Sequence, residues 1–201
     1  MINKNFPKIF LAAALTVGSL FASDDLFDYK SYSLFGIEAG YGSISSEMTN
    51  TNTSPVTFKT NDTQISNVGL KIGAQSENYR VLLSARYAKD FDSTFDYIAN
   101  YEAEMDYLFN FSRQANFFIG VSTGMVYTKF IMPGEPFSRT TSSAYYGGNA
   151  GFNIHMSRLI DLELGGRMML LNTSNIKSGV EYKLNDIVNG YVSIIFKYQM
   201  D

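Results

Sequence analysis

Along most of this chain hydrophobic and polar positions alternate one by one. In the closing stretch Ile187 to Met200, Val192, Ile194, Phe196, Tyr198 and Met200 fall on one face, and Tyr191, Ser193, Ile195, Lys197 and Gln199 on the other. A period of two belongs to a pleated strand, whose successive side chains point to opposite sides. The same alternation occurs in seven stretches upstream. Ser33 to Ser43 sets Phe35, Ile37, Ala39 and Tyr41 against Gly36, Glu38, Gly40 and Gly42. Asn67 to Gln75 sets Val68, Leu70, Ile72 and Ala74 against Gly69, Lys71 and Gly73, and Tyr79 to Tyr87 sets Tyr79, Val81, Leu83, Ala85 and Tyr87 against Arg80, Leu82, Ser84 and Arg86. Phe95 to Phe109 opposes Tyr97, Tyr101, Met105, Tyr107 and Phe109 to Glu102, Glu104 and Asp106. A helix would scatter those three acids around its surface, whereas a strand gathers them on one side. Asn116 to Thr128 (Phe117, Ile119, Val121, Met125 and Tyr127 against Gly120, Ser122 and Gly124) and Ser143 to His155 (Tyr146, Ala150, Phe152 and Ile154 against Gly147, Asn149, Gly151 and Asn153) continue the pattern. The seventh stretch opposes Ile160, Leu162, Leu164, Met168 and Leu170 to Asp161, Glu163, Gly165 and Arg167.

The connections alternate in length. Ile44 to Ser66, Ala88 to Thr94, Lys129 to Ser142 and Asn172 to Asp186 are long; Ser76 to Asn78, Asn110 to Ala115 and Met156 to Arg158 are short. Ile44 to Ser66, rich in Thr, Ser and Asn, reads as a loop that cannot bury a core of its own. Pairing the last strand with the first removes both sheet edges. The prediction is an all-β, eight-stranded antiparallel up-and-down barrel, with strands long enough for the roughly 9 to 11 residues that a tilted membrane crossing takes.

Periodicity does not say which face looks outward, but three observations do. On the apolar face, Phe35, Tyr79, Tyr107, Phe109, Phe117, Phe152 and Tyr198 lie at the short-turn ends, and Tyr41, Tyr87, Tyr97, Tyr127 and Tyr146 at the long-loop ends. Two aromatic belts around an aliphatic band are what a bilayer's two interfaces select. The opposite face is rich in glycine, which suits a narrow lumen. That face also carries Glu38, Glu102, Glu104, Asp106, Asp161 and Glu163 together with Lys71, Arg80, Arg86, Arg167 and Lys197, charges that can pair inside. Reversing the faces would place the five bases in hydrocarbon, at about 2–4 kcal/mol each near the midplane. In a membrane the charged face is therefore the lumen, with a charge network, and the predicted barrel reads as transmembrane; a soluble barrel with its apolar face inside is the alternative.

The N-terminus carries an address. Lys4 and Lys8 precede the apolar stretch Ile9 to Phe21, and Leu20 and Ala22 suit a signal peptidase, so residues 1–22 read as a cleaved signal peptide. Residues 23–32 read as an acidic periplasmic lead-in and 33–201 as the barrel. The 201 residues hold no cysteine, which excludes disulfides, thiol chemistry and a lipoprotein anchor, and the net charge of −3 gives no reason to expect nucleic acid.

The alternating last strand with Tyr198 near its end resembles that of the small outer-membrane β-barrels of Gram-negative bacteria, of the OmpA and OmpX kind, which are common among epsilonproteobacterial surface proteins. The resemblance implies recognition of that strand by the outer-membrane assembly machinery, and outer-membrane lipid and lipopolysaccharide as surroundings. It also implies a monomer without a cofactor, and outside loops free to meet a host or surface ligand.

Candidate chemistry is sparse. His155, the sole histidine, falls at the periplasmic end of its strand, the wrong end for a lipid-modifying enzyme, and reads as a polar turn residue. Asp90, Asp92, Thr94 and Asp96 place oxygens at every second position but lack the glycine and late Glu of a calcium loop, so they read as a solvated acidic loop. Asn52 and Asn61 head glycosylation triplets that a Thr-rich segment produces by chance. No catalytic, cofactor or metal site is expected. The acidic row Glu102, Glu104 and Asp106 reads as pairing with Arg80 and Arg86 rather than as a cation path. The expected function is a non-enzymatic outer-membrane barrel that presents four outside loops for adhesion or surface binding and has a structural share. A narrow pore and a lipid-modifying enzyme are the alternatives.

Overall fold

The computed structural model describes residues 31–50, 57–91, 95–130, 139–171, 173–177 and 180–199. The proposed signal peptide, nearly all of the lead-in, Asn52, Asp92 and Thr94 lie outside them. The strands are β1 (Tyr32–Asn50), β2 (Thr57–Gln75), β3 (Tyr79–Asp90), β4 (Phe95–Phe109) and β5 (Ala115–Phe130). They continue as β6 (Arg139–His155), β7 (Ile160–Leu171), the short β8 (Thr173–Lys177) and β9 (Val180–Gln199). Each of β1 to β6 pairs antiparallel with its successor, β7 pairs with β9, and β9 returns to β1 from Tyr32↔Gln199 to Asn50↔Val180, with a register shift between Ile44 and Ser46. The result is a closed barrel of eight staves, with β8 attached to the outer part of β9 as a hairpin.

Strand lengths differ from the sequence expectation. β1 and β2 have 19 residues each and β9 has 20, against 12 in β3 and in β7. A membrane crossing takes only about 9–11 residues. The segment 44–66, expected to be a loop, is therefore largely a two-stranded ribbon, paired without a break from Ile44↔Thr63 to Asn50↔Thr57. The segment 172–186 likewise contains β8 and the start of β9, and 129–142 contains the ends of β5 and β6. The physical reason lies in two isoleucines. Ile44 and Ile65 continue the inner-face parity of β1 and β2 and are 1% and 2% exposed, packed with Ala88, Ile98, Val126, Tyr145, Met169, Leu171, Leu184 and Ile187. The register shift of β9 against β1 between Ile44 and Ser46 turns both Ile187 and Leu184 inward across a bulge.

The lumen is thus layered. An apolar plug fills its outer end, charged and amide side chains fill the middle, and two small apolar clusters, Leu34–Leu82–Ile195 and Leu108–Phe118–Tyr191, lie toward the short-turn end. Glycine makes the charged layer possible. A Cβ on Gly120 would sit 2.0 Å from Asp106 Oδ1 and 2.7 Å from the Met105 carbonyl, so only hydrogen fits there.

Candidate functional site

Charge inside this barrel is assembled from six strands. β1 supplies Glu38, β2 Lys71, β3 Arg80 and Arg86, β4 Glu102, Glu104 and Asp106, β7 Asp161, Glu163 and Arg167, and β9 Lys197. None of the eleven is more than 8% exposed. Glu38 is the hub, with Lys71 Nζ at 2.8 Å, Arg86 Nε at 2.8 Å and Arg167 Nη1 at 3.1 Å. Arg86 and Arg167 also hold Glu102, at 2.9 and 3.3 Å, and Arg167 reaches Glu104 at 3.4 Å. Below them Glu163 joins Lys71 at 2.7 Å to Arg80 at 2.6 Å, and Arg80 grips Asp106 at 2.7 Å.

The acidic row of β4 does meet Arg80 and Arg86 of the neighbouring strand, and it also meets Arg167 from across the lumen. Sequence reasoning left out the neutral members. Tyr145 donates to Glu102 at 2.7 Å and Asn149 to Asp106 at 2.8 Å, while the Tyr191 ring lies under Lys71 and Arg167 at 4.2 and 4.4 Å. All three have inner-face parity, which was the available signal. A buried charge is tolerated only when its partners are in place, and here each acid has at least one base within ion-pair distance.

The outward faces carry the rings singled out above. At the short-turn end Tyr79, Tyr107, Phe109, Phe117 and Phe152 form a continuous row across β3 to β6, with centroids 4.7 to 5.9 Å apart, and Phe35 stacks on Phe196 at 6.3 Å. Tyr198 is exposed at the same end. At the other end Tyr87 stacks on Tyr97 at 6.1 Å, Tyr127 meets Tyr101 at 6.0 Å, Tyr41 meets Phe91 at 6.1 Å, and Tyr146 stands exposed. Between the rows the outward positions include Ile37, Val68, Leu70, Ile72, Met105, Ile119, Val121, Met168 and Val192, all exposed.

Beyond Tyr41 and Tyr146 the outward face turns polar, and the inner face, which keeps Thr63 and Thr128, gains apolar residues. Asp62, Gln64, Thr140 and Ser142 point outward and are exposed, while Ile44, Ile65, Val126 and Leu184 point inward and are buried. Lys129 and Asp96 form an ion pair at this level, and that carboxylate, by hydrogen bond and charge, holds the Lys129 ammonium above its usual range. Asp96, expected in a solvated acidic loop, is instead the second residue of β4 and is paired with a lysine. At the opposite end His155 Nδ1 lies 2.8 Å from Asp161 Oδ1, which Lys197 also holds at 2.7 Å, and Asn116 approaches His155 Nε2 at 3.5 Å.

No family model and no curated protein sequence matches the chain. Among solved structures, the Neisserial surface protein A is similar at a TM-score of 0.55 and 12% identity, over 83% of this chain and 97% of that one. The fold is that of a small outer-membrane β-barrel. Two further outer-membrane barrels align less closely. They are the attachment invasion locus protein Ail of Yersinia pestis (TM-score 0.43, 12% identity, 83% of this chain and 99% of that one) and the N-terminal barrel domain of Pseudomonas aeruginosa OprF (0.44, 10%, 81% and 97%). In an outer-membrane barrel the aliphatic band and its two rows of rings face lipid, and the charged layer lies where an aqueous channel would otherwise run.

Proposed function

We propose that this chain is a sealed outer-membrane barrel of a Gram-negative bacterium. Its work is done above the membrane, where the four outer connections and the raised sheet β2–β1–β9–β8 bind a surface or host component. The barrel below gives structural support to the envelope, and lipopolysaccharide, membrane lipid and the assembly machinery are its standing partners. One observation carries the reading: at the level of Tyr41 and Tyr146 the apolar face passes from the outside of the wall to the inside. Hydrocarbon favours the first arrangement and water the second, so the crossover supports a bilayer surface at that level. The plug of Ile44, Ile65, Met169 and Ile187 above the ion-pair layer favours a closed barrel over a passive pore.

The chain has no cysteine, so single cysteines report topology cleanly. On intact cells a membrane-impermeant maleimide should label Asp62→Cys at once and Ser112→Cys, in a short turn, only after lysis. Equal protection of both, or a chain recovered in the soluble fraction, would rule the proposal out.

A further inference from the structure

Most inward glycines of this barrel, such as Gly42, Gly73, Gly120, Gly124 and Gly151, are demanded by backbone or side chains within 3 Å of a Cβ, whereas three outward ones are not. A Cβ on Gly148 would come no nearer than 3.4 Å to another atom, on Gly166 no nearer than 4.0 Å, and on Gly190 no nearer than 3.9 Å. The wall itself thus has room for side chains at these positions. All three lie on one patch: Gly166 is paired with Gly190 on one side and with Ala150 on the other, and Gly148 is two residues along from Ala150. Elsewhere the lipid-facing band carries Leu, Ile, Val and Met with single alanines such as Ala39 and Ala85 between them. Here it sinks into a groove of about 750 Å³ with glycine and Ala150 as its floor and Ile119, Met168, Leu170 and Val188 as its rim. Its volume falls within the roughly 300–1,000 Å³ of ordinary ligand sites. Tyr146, from the aromatic row at the long-connection end, also lines it.

We infer that this groove on β6, β7 and β9 is a seat for one acyl chain of a bilayer lipid. The inference rests on the membrane reading above. Two observations select the occupant. The groove is continuous with the aliphatic band, so whatever covers that band reaches into it. It is also concave, and a two-fold dimer brings a patch against its own copy, so groove would face groove and leave a void rather than a packed interface. A flexible hydrocarbon chain fills such a trough and gains dispersion contacts along its length.

The test is photolabelling. The full chain, purified from membranes, is reconstituted into phosphatidylethanolamine–phosphatidylglycerol vesicles that contain a phospholipid with a diazirine in its acyl chain, and adducts are mapped by mass spectrometry. Adducts on 146–150, 166–170 and 188–190 should exceed those on the ordinary outward segment 68–72 several-fold. Gly148→Leu and Gly190→Leu should bring them down to that level while heat-modifiable gel mobility is kept. If leucine prevents assembly, Gly166→Ala should give a partial drop. Equal labelling of groove and band would overturn the seat but leave the membrane reading intact. An unlabelled groove, with Gly166→Cys forming disulfide-linked dimers, would overturn it in favour of a second copy. Absence of adducts on 68–72 as well would overturn both.

Discussion

Arg167 holds three carboxylates, those of Glu38, Glu102 and Glu104, and is fully buried itself. Such a residue contributes less by attraction than by what its removal leaves behind, because an uncompensated buried charge costs far more than a buried pair gains. Arg167→Met should therefore destabilise the folded barrel by about 3–5 kcal/mol. The measurement is urea unfolding in lipid vesicles, followed by the shift in gel mobility. Adding Glu38→Gln to it should cost much less than the two single effects summed, since the partners share one network. Additive losses would show that the two side chains do not interact in the folded state.

At the scale of one strand, β2 passes through three environments. Leu70 faces outward in the aliphatic band, Ile65 faces inward in the plug, and Gln64 faces outward above the ring row. Leu70→Arg should cost about 2–4 kcal/mol, as a guanidinium near the bilayer midplane does. Gln64→Arg, in water, should stay within about 0.5 kcal/mol. Ile65→Ala should cost about 2–5 kcal/mol because it empties part of a packed core. The last prediction separates ribbon from loop, since a residue of a solvated loop would be nearly neutral. The same urea titrations supply all three values.

For the molecule as a whole, the proposed sealed barrel has its axis blocked by the plug and the ion-pair layer together. Planar-bilayer recordings should show no steady conductance, for the parent chain and for Ile44→Ala alike, because the ion-pair layer remains below the plug. A stable ohmic step would instead favour transport. Replacing residues 51–56 by a two-residue turn should leave assembly intact while altering surface binding. Deleting 47–61 should impair assembly, because it removes ladder pairs from Glu47↔Thr60 to Asn50↔Thr57 and the β9 partners of those residues.

By itself the sequence determined what depends on a period of two: that these segments are strands, that eight of them close, and which side chains share a face. Glu102, Glu104 and Asp106 could be assigned to one side of β4 without any knowledge of their neighbours, because pleating is local. It was not enough for the outer ribbon. Thr, Ser and Asn weaken the local strand signal there, and Ile44 and Ile65 acquire meaning only when β4, β5, β7 and β9 bring apolar partners across the lumen. The hub role of Glu38 and the glycine groove were equally hidden. Arg167 lies 129 residues beyond Glu38, and Gly148, Gly166 and Gly190 stand on three different strands. Only barrel closure and interstrand register, which are properties of the whole sheet, make them neighbours.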